Sequence, residues 1–263
     1  MNDSIILTPR SQRLKTGIVL VLGVLLFVVS TSYLQLDVAT FMERSATAGD
    51  VVKNFLVIDT QDLGEILTQL LVSIAMAIVS LLIGTVISFI LAIFGAHNIA
   101  PNAFLSGLIK AFVSIVRGVP SLVWILMIVA SLGFGTLPGV MGLVFPTVGY
   151  LTKSFISSIE EVSVDVIETM KTTGASWFQL IVEGILPNVW LSFTTWIAIR
   201  LEANVAESIS LGMVGAGGIG TVLSRAISSY NYGKITMCIL CIFLTMVIFE
   251  LSMSQMKKKQ VVG

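Results

Sequence analysis

Residues 66–96 read ILTQLLVSIAMAIVSLLIGTVISFILAIFGA, 31 positions without one Asp, Glu, Lys or Arg. A helix needs about 20 apolar residues to cross a bilayer, and this run exceeds that. The rest of the chain agrees: 56% of residues are hydrophobic and 11% charged, against roughly 25% charged in a soluble domain. Mean hydropathy is +0.98. Lipid is therefore the solvent for most of the chain. Working outward, charge-poor runs predict five further spans, near 15–34, 119–133, 137–153, 188–210 and 233–253. The third and fourth are short, which allows tilt or partial re-entry.

Lys/Arg asymmetry gives a topology. Arg10, Arg13 and Lys15 precede the first span, and Lys257, Lys258 and Lys259 follow the last. Six spans place both ends on one side, read as cytoplasmic, with Lys110, Arg117, Lys153 and Lys171. The first outer loop, about 36–64, carries Asp37, Glu43, Asp50, Asp59 and Asp62 against Arg44 and Lys53. The first apolar run is long for a signal peptide, and no cleavage pattern follows promptly, so an uncleaved span is expected.

Residues 97–118 have apolar positions at helical spacing and read as an amphipathic or shallowly buried helix ending at Arg117-Gly-Val-Pro120. His97 reads as an interfacial residue. Cys238 and Cys241 lie in an apolar run with no histidine near and read as packing residues. The net charge is zero, from 15 basic and 15 acidic residues, and no basic stripe points to nucleic acid. There is no Gly-x4-Gly-Lys-Ser/Thr and no catalytic constellation, so the chain is expected not to be an enzyme.

The longest inner loop, 154–187, contains Glu160, Glu161, Asp165, Glu168, Lys171 and Glu183. Val164, Ile167, Met170, Trp177 and Leu180 fall at helical spacing, interrupted at Gly174. A helix, a glycine turn and a second helix leading to Pro187 would form a knob that docks in a cleft of a soluble partner. Glu168-Thr-Met-Lys-Thr-Thr-Gly174, nine residues, then Gly184-Ile-Leu186-Pro187 resembles the EAA loop of ABC-importer permeases. That pattern is Glu-Ala-Ala, three residues, Gly, nine residues, Ile-x-Leu-Pro. Thr169, Met170 and Gly184 depart from it. The resemblance implies an ATPase-coupling loop at about 160–187, with Glu168, Lys171, Gly174, Ala175, Trp177, Leu186 and Pro187 as its working residues.

Arg200-Leu-Glu202-Ala-Asn204-Val205, Leu211-Gly-Met-Val-Gly215-Ala-Gly217-Gly218-Ile-Gly220 and Arg117-Gly-Val-Pro120-Ser-Leu-Val-Trp124 resemble the phosphonate permease subfamily. So do Gly184 and Gly174-Ala-Ser176. The subfamily carries Arg where this chain has Ala206; Glu207 follows instead. Independently, charges inside a span cost on the order of 2.5–3.5 kcal/mol each on insertion scales. Arg200, Glu202, Asn204 and Glu207 share span five, so they either line a translocation pathway or pair structurally. Gly215, Gly217, Gly218 and Gly220 read as close packing at an outer gate. Their GxGGxG spacing follows no strand, which disfavours a dinucleotide loop.

The expectation is an all-α membrane protein of about six transmembrane helices with the type I ABC-importer permease fold. Residues 1–64 would form a first span and outer loop, 65–255 the transporter domain, and 256–263 a cytoplasmic tail. The chain would sit in the cell membrane of a prokaryote with both termini cytoplasmic. The resemblance implies no cofactor in this chain, ATP and Mg bound by two partner ATP-binding subunits, an external solute-binding protein, and a second permease copy. A heterodimer with a related permease remains the rival to a homodimer. Phosphonate or a related phosphorus oxyanion is the implied solute, with methionine or another polar solute, or secondary transport, as alternatives.

Overall fold

The computed structural model describes residues 10–35 and 37–262. The side chains of Arg10, Arg13 and Lys257 to Lys259, which carried the topology argument, lie outside the described residues. Every regular element among the described residues is helical. The chain divides into two compact units, Met1–Lys53 and Asn54–Gly263. Five helices are long and apolar enough to cross a membrane, and six spans result if one bent helix pair counts as one.

In the first unit α1 (Arg10–Tyr33) is apolar from Leu14 onward. The expected outer loop is largely a helix, α2 (Val38–Asn54). Asp37 starts it, accepting hydrogen bonds from the Thr40 hydroxyl at 2.5 Å and the Thr40 N–H at 3.0 Å. These bonds, the hydroxyl's first, hold the Asp37 carboxyl below its ordinary range. Hydropathy missed α2 because its sequence is mostly polar and small.

The second unit begins before the expected boundary at 64/65. The Thr236 hydroxyl donates to the Phe55 carbonyl at 2.9 Å, and Phe55 meets Tyr232 edge-on at 5.2 Å. Lys234 reaches Asp62 and Glu65, and Arg225 also reaches Glu65. Residues 54–64 therefore pack with the transporter core.

α3 (Leu63–Gly95) has 33 residues, about 50 Å at 1.5 Å per residue. Its buried face is a row of small side chains: Ser73, Ala77, Ser80, Gly84, Ser88, Ala92 and Gly95. Small residues let helix backbones approach where no water-driven force gathers them. The partner is α6 (Thr136–Glu160); a Cβ on Gly84 would overlap the Thr147 side chain. At 25 residues, α6 is no short span. It is the central helix, with α3, α4, α5 and α9 packed on it. The sequence reading ended it at Lys153, but the helix carries Lys153 and Glu160 on its surface.

Span three departs most from expectation. α4 (Ala103–Gly118) and α5 (Ser121–Leu132) meet at 86°. α5 alone has 12 residues, about 18 Å, too short to cross. The expected boundary helix and the expected third span are two arms of one broken element. Pro120 forces the break. The Trp124 indole N–H repairs it by donating to the Val116 carbonyl at 3.0 Å, and its ring stacks on Phe145 at 4.8 Å.

After α6 come α7 (Val164–Thr172), α8 (Trp177–Gln179) and a widened π-turn, Leu180–Ile185. α9 (Leu186–Leu211) follows, then a second π-turn, Gly212–Ala216. Span five thus starts at Trp177 and not at Pro187. The π-turn explains why Pro187 does not open it. Leu186 donates to Ile181, five residues back, and the wider turn takes in a residue with no N–H and a ring that a regular turn excludes. α10 (Ile219–Ser228) and α11 (Tyr232–Val262) close the unit. α11 runs through the expected 256–263 tail as far as Val262. Cys238 and Cys241 are buried beside Ile66 and Leu70.

Candidate functional site

The loop between α6 and α9 is built from two helix caps set back to back. Ser163 caps α7, its hydroxyl accepting from the Asp165 N–H at 3.3 Å. At the other end Gly174 takes φ +78, a conformation that a side chain penalises. Its N–H bonds the Lys171 carbonyl, and the Ala175 N–H bonds the Met170 carbonyl, both at 3.1 Å. Those two bonds form the Schellman motif. One residue later Ser176 and Gln179 exchange hydrogen bonds in a capping box. The chain turns between α7 and α8 with almost no free backbone.

Two contacts fasten this turn to the bundle. The Trp177 indole N–H donates to the Ile99 carbonyl at 2.8 Å, and the ring stacks on Phe94 at 5.7 Å. Trp177 is thus an anchor within the chain. Ile167 is buried in the main core, and Met170 packs against it. A Cβ on Gly184 would stand 3.3 Å from Met170 Cγ. Two of the three departures from the EAA pattern, Met for Ala and Gly for Ile, therefore touch, and the larger residue at 170 fills the space left at 184. Glu168, Lys171 and Gly174 face outward and are exposed, Ala175 and Leu186 are half-buried, and Pro187 is exposed. Phe178, 69% exposed, joins this surface; the sequence offered no means of telling it from core.

The polar residues of span five form a second cluster, mid-bundle. Arg200, 6% exposed, donates through Nη2 to Glu207 Oε2 at 2.8 Å and through Nη1 to Oε1 at 3.3 Å. Residues seven apart lie two turns along one helix face. Arg200 Nε also donates to the Thr147 hydroxyl at 3.3 Å, and the guanidinium lies 5.9 Å from the Tyr150 ring centre. Asn204 is fully buried. Its carbonyl oxygen lies 3.0 Å from the Thr147 hydroxyl, and its amide donates to the Ser80 hydroxyl at 3.2 Å. Asn204 therefore ties α9 to α6 and α3. Glu202 stands apart, half-buried and without a partner among the described residues. Thr147, Ser80 and Tyr150 escaped sequence reasoning because hydroxyl and phenol groups do not interrupt a hydropathy window.

The glycines lie where α9 folds back into α10. A Cβ on Gly220 would overlap the Ile209 carbonyl, and one on Gly212 would fall 2.7 Å from Gly220 Cα. Gly215, Gly217 and Gly218 all have positive φ, and the Ser73 hydroxyl accepts the Ile219 N–H at 3.0 Å. At the opposite end, next to the loop, Glu160 Oε1 accepts from the His97 N–H at 2.9 Å and from Lys110 Nζ at 2.7 Å, and lies 2.6 Å from His97 Nδ1. His97 thus helps hold α3, α4 and α6 together.

Comparison with known proteins follows this geometry. Residues 89–260 match the family described as binding-protein-dependent transport system inner membrane component. Over 175 residues the chain is 35% identical to the phosphite transport system permease protein PtxC of Stutzerimonas stutzeri, covering 66% of this chain and 63% of that protein. It is 30% identical over 175 residues to the phosphate-import permease protein PhnE of Mycolicibacterium smegmatis, covering 66% of this chain and 33% of that protein. Among solved structures, a chain of the inward-facing MetNI methionine ABC transporter superposes with a TM-score of 0.68 at 19% identity. That match covers 77% of this chain and 99% of that one, a likeness of fold.

Proposed function

Since this chain belongs to the family of inner-membrane components of binding-protein-dependent transport systems, we propose that it is the membrane-spanning subunit of an ATP-driven ABC importer. Its solute would be phosphonate or a related phosphorus oxyanion. The observation that carries the importer reading is the α7–α8 turn. It is rigid, anchored through Trp177, and presents Glu168, Lys171 and Phe178 outward at one end of the bundle. A rigid knob transmits a push where a flexible loop would absorb it. Closure of a partner ATPase on this turn would move α9 as one body, because the helix runs on from Trp177 to Leu211 and kinks only beyond it, at Val214 and Gly215. The end bearing the loop is then cytoplasmic. The chain offers one such loop, so two ATP-binding subunits, which bind ATP and Mg, require a second copy of this chain. An external binding protein delivers the solute to the opposite end.

The names of the relatives support the solute class. The test is reconstitution with the co-purifying ATPase and binding protein, followed by uptake of phosphite, methylphosphonate, phosphate and methionine. Uptake of a phosphorus oxyanion that stimulates ATP hydrolysis upholds the reading. Uptake of methionine alone replaces the solute, and uptake without an ATPase overturns the importer.

A further inference from the structure

A second set of cations lies along α4 and the face of α6 that α4 covers. α4 and α6 run antiparallel, with Lys110 beside Glu160 at one end and Arg117 against Gly149 at the other. Between these points lies an open cavity of about 300 Å³ lined by Lys110, Val113, Ser114, Lys153, Ile156, Ser157 and Glu160. That is the lower end of the range for small-molecule sites. Arg117 sits one turn above Ser114, its stem in contact distance of where a Gly149 Cβ would be. Lys110 is paired with Glu160, but neither Arg117 nor Lys153 has a hydrogen-bond or ion-pair partner among the described residues.

The spacing gives depth. Gly149 stands eleven residues before the end of α6, roughly 16 Å along the axis, near the middle of a 25-residue span. An unpaired guanidinium at that level does not face hydrocarbon; it lines water or meets an anion. Arg117, Lys153 and Lys110 thus descend from mid-membrane to the loop-bearing end, three cations against Glu160 and Glu161, with Ser114 and Ser157 beside them, whose hydroxyls donate to the Lys110 carbonyl and to Glu161. We propose that this α4–α6 groove binds a phosphate-type oxyanion and serves as the exit track of the cargo. The inference rests on the phosphorus-oxyanion reading above. A lipid phosphate at the same depth as Lys110 offers the same chemistry, and the test separates the two sources.

The complex of this chain with its ATPase is reconstituted without nucleotide in vesicles of phosphatidylcholine, with or without phosphatidylglycerol. Binding of radiolabelled inorganic phosphate and methylphosphonate is measured for the wild type, Arg117→Gln, Lys153→Gln and Lys153→Arg. Unfolding midpoints establish that each variant folds, and native mass spectrometry reads retained lipid. The expected result is at least tenfold weaker oxyanion binding for both Gln variants in neutral vesicles, with Lys153→Arg near wild type. If the Gln variants lose only retained phosphatidylglycerol, the groove is a headgroup site and the exit track is refuted. If neither readout moves, the groove binds no anion. If the wild type carries methionine and no oxyanion, the proposed solute fails, and the lipid readout alone then decides whether the groove binds phosphate.

Discussion

Removing Glu207 separates two roles for Arg200. In Glu207→Ala the guanidinium keeps its 6% exposure but loses both carboxylate bonds. The Thr147 hydroxyl and the Tyr150 ring remain, and neither supplies a counter-charge. Breaking a buried pair from one side costs about 3–5 kcal/mol. Replacing both partners, Arg200→Met with Glu207→Ala, removes the stranded charge and is expected to recover most of that loss, giving a coupling of about 2–3 kcal/mol in the double-mutant cycle. Stability is read by denaturant titration of the detergent-solubilised complex, and transport in vesicles beside it. If the pair only holds α9 in shape, the double variant regains both. If the pair contacts solute, stability returns and transport does not. A cost below about 1 kcal/mol for Glu207→Ala would place the pair in water and refute the argument from burial.

Three further outcomes follow from the loop and the core. Gly174→Val places a β-branched residue at φ +78, a strain of about 1–2 kcal/mol; transport is expected to fall while basal ATP hydrolysis by the partner persists. Trp177→Phe keeps an aromatic ring over Phe94 but deletes the bond to Ile99, so hydrogen exchange across 164–179 should quicken about fivefold, equivalent to ~1 kcal/mol. Gly84→Val drives a side chain into Thr147 and should lower stability by about 1–3 kcal/mol, measured by thermal unfolding in detergent; an unchanged midpoint would show that α3 and α6 do not depend on this approach.

Sequence reading was reliable where one physical effect acted alone. Residues 66–95 carry no charge, and they form one uninterrupted helix. It failed where charges fall inside a span. Lys110 and Arg117 depress hydropathy over 103–118, so that arm of the broken span read as a boundary helix. Lys153 cut short the reading of α6, and Glu160 at the helix's end is met by Lys110 from α4 and by His97 just beyond α3. The EAA-like spacing marked the loop, while Trp177 as an anchor depended on Ile99, 78 residues earlier. Arg200, Glu202, Asn204 and Glu207 were singled out with pathway lining and structural pairing both open; that Arg200 pairs with Glu207 and not Glu202 needed side-chain conformations that sequence does not contain.

The π-turn at Leu180–Ile185 acts as a phase step. One residue occupies about 100° of a regular helix, so a single extra residue in a turn rotates everything beyond it by that angle. With Trp177 pinned to Ile99, the orientation of Arg200 and Asn204 toward Thr147 of α6 depends on that step being kept. Deleting one residue anywhere in 180–185 would leave span five helical and as apolar as before, yet swing its polar row away from α6 toward other surroundings. The length of the segment, counted in single residues, is therefore under tighter constraint than the identity of most side chains within it.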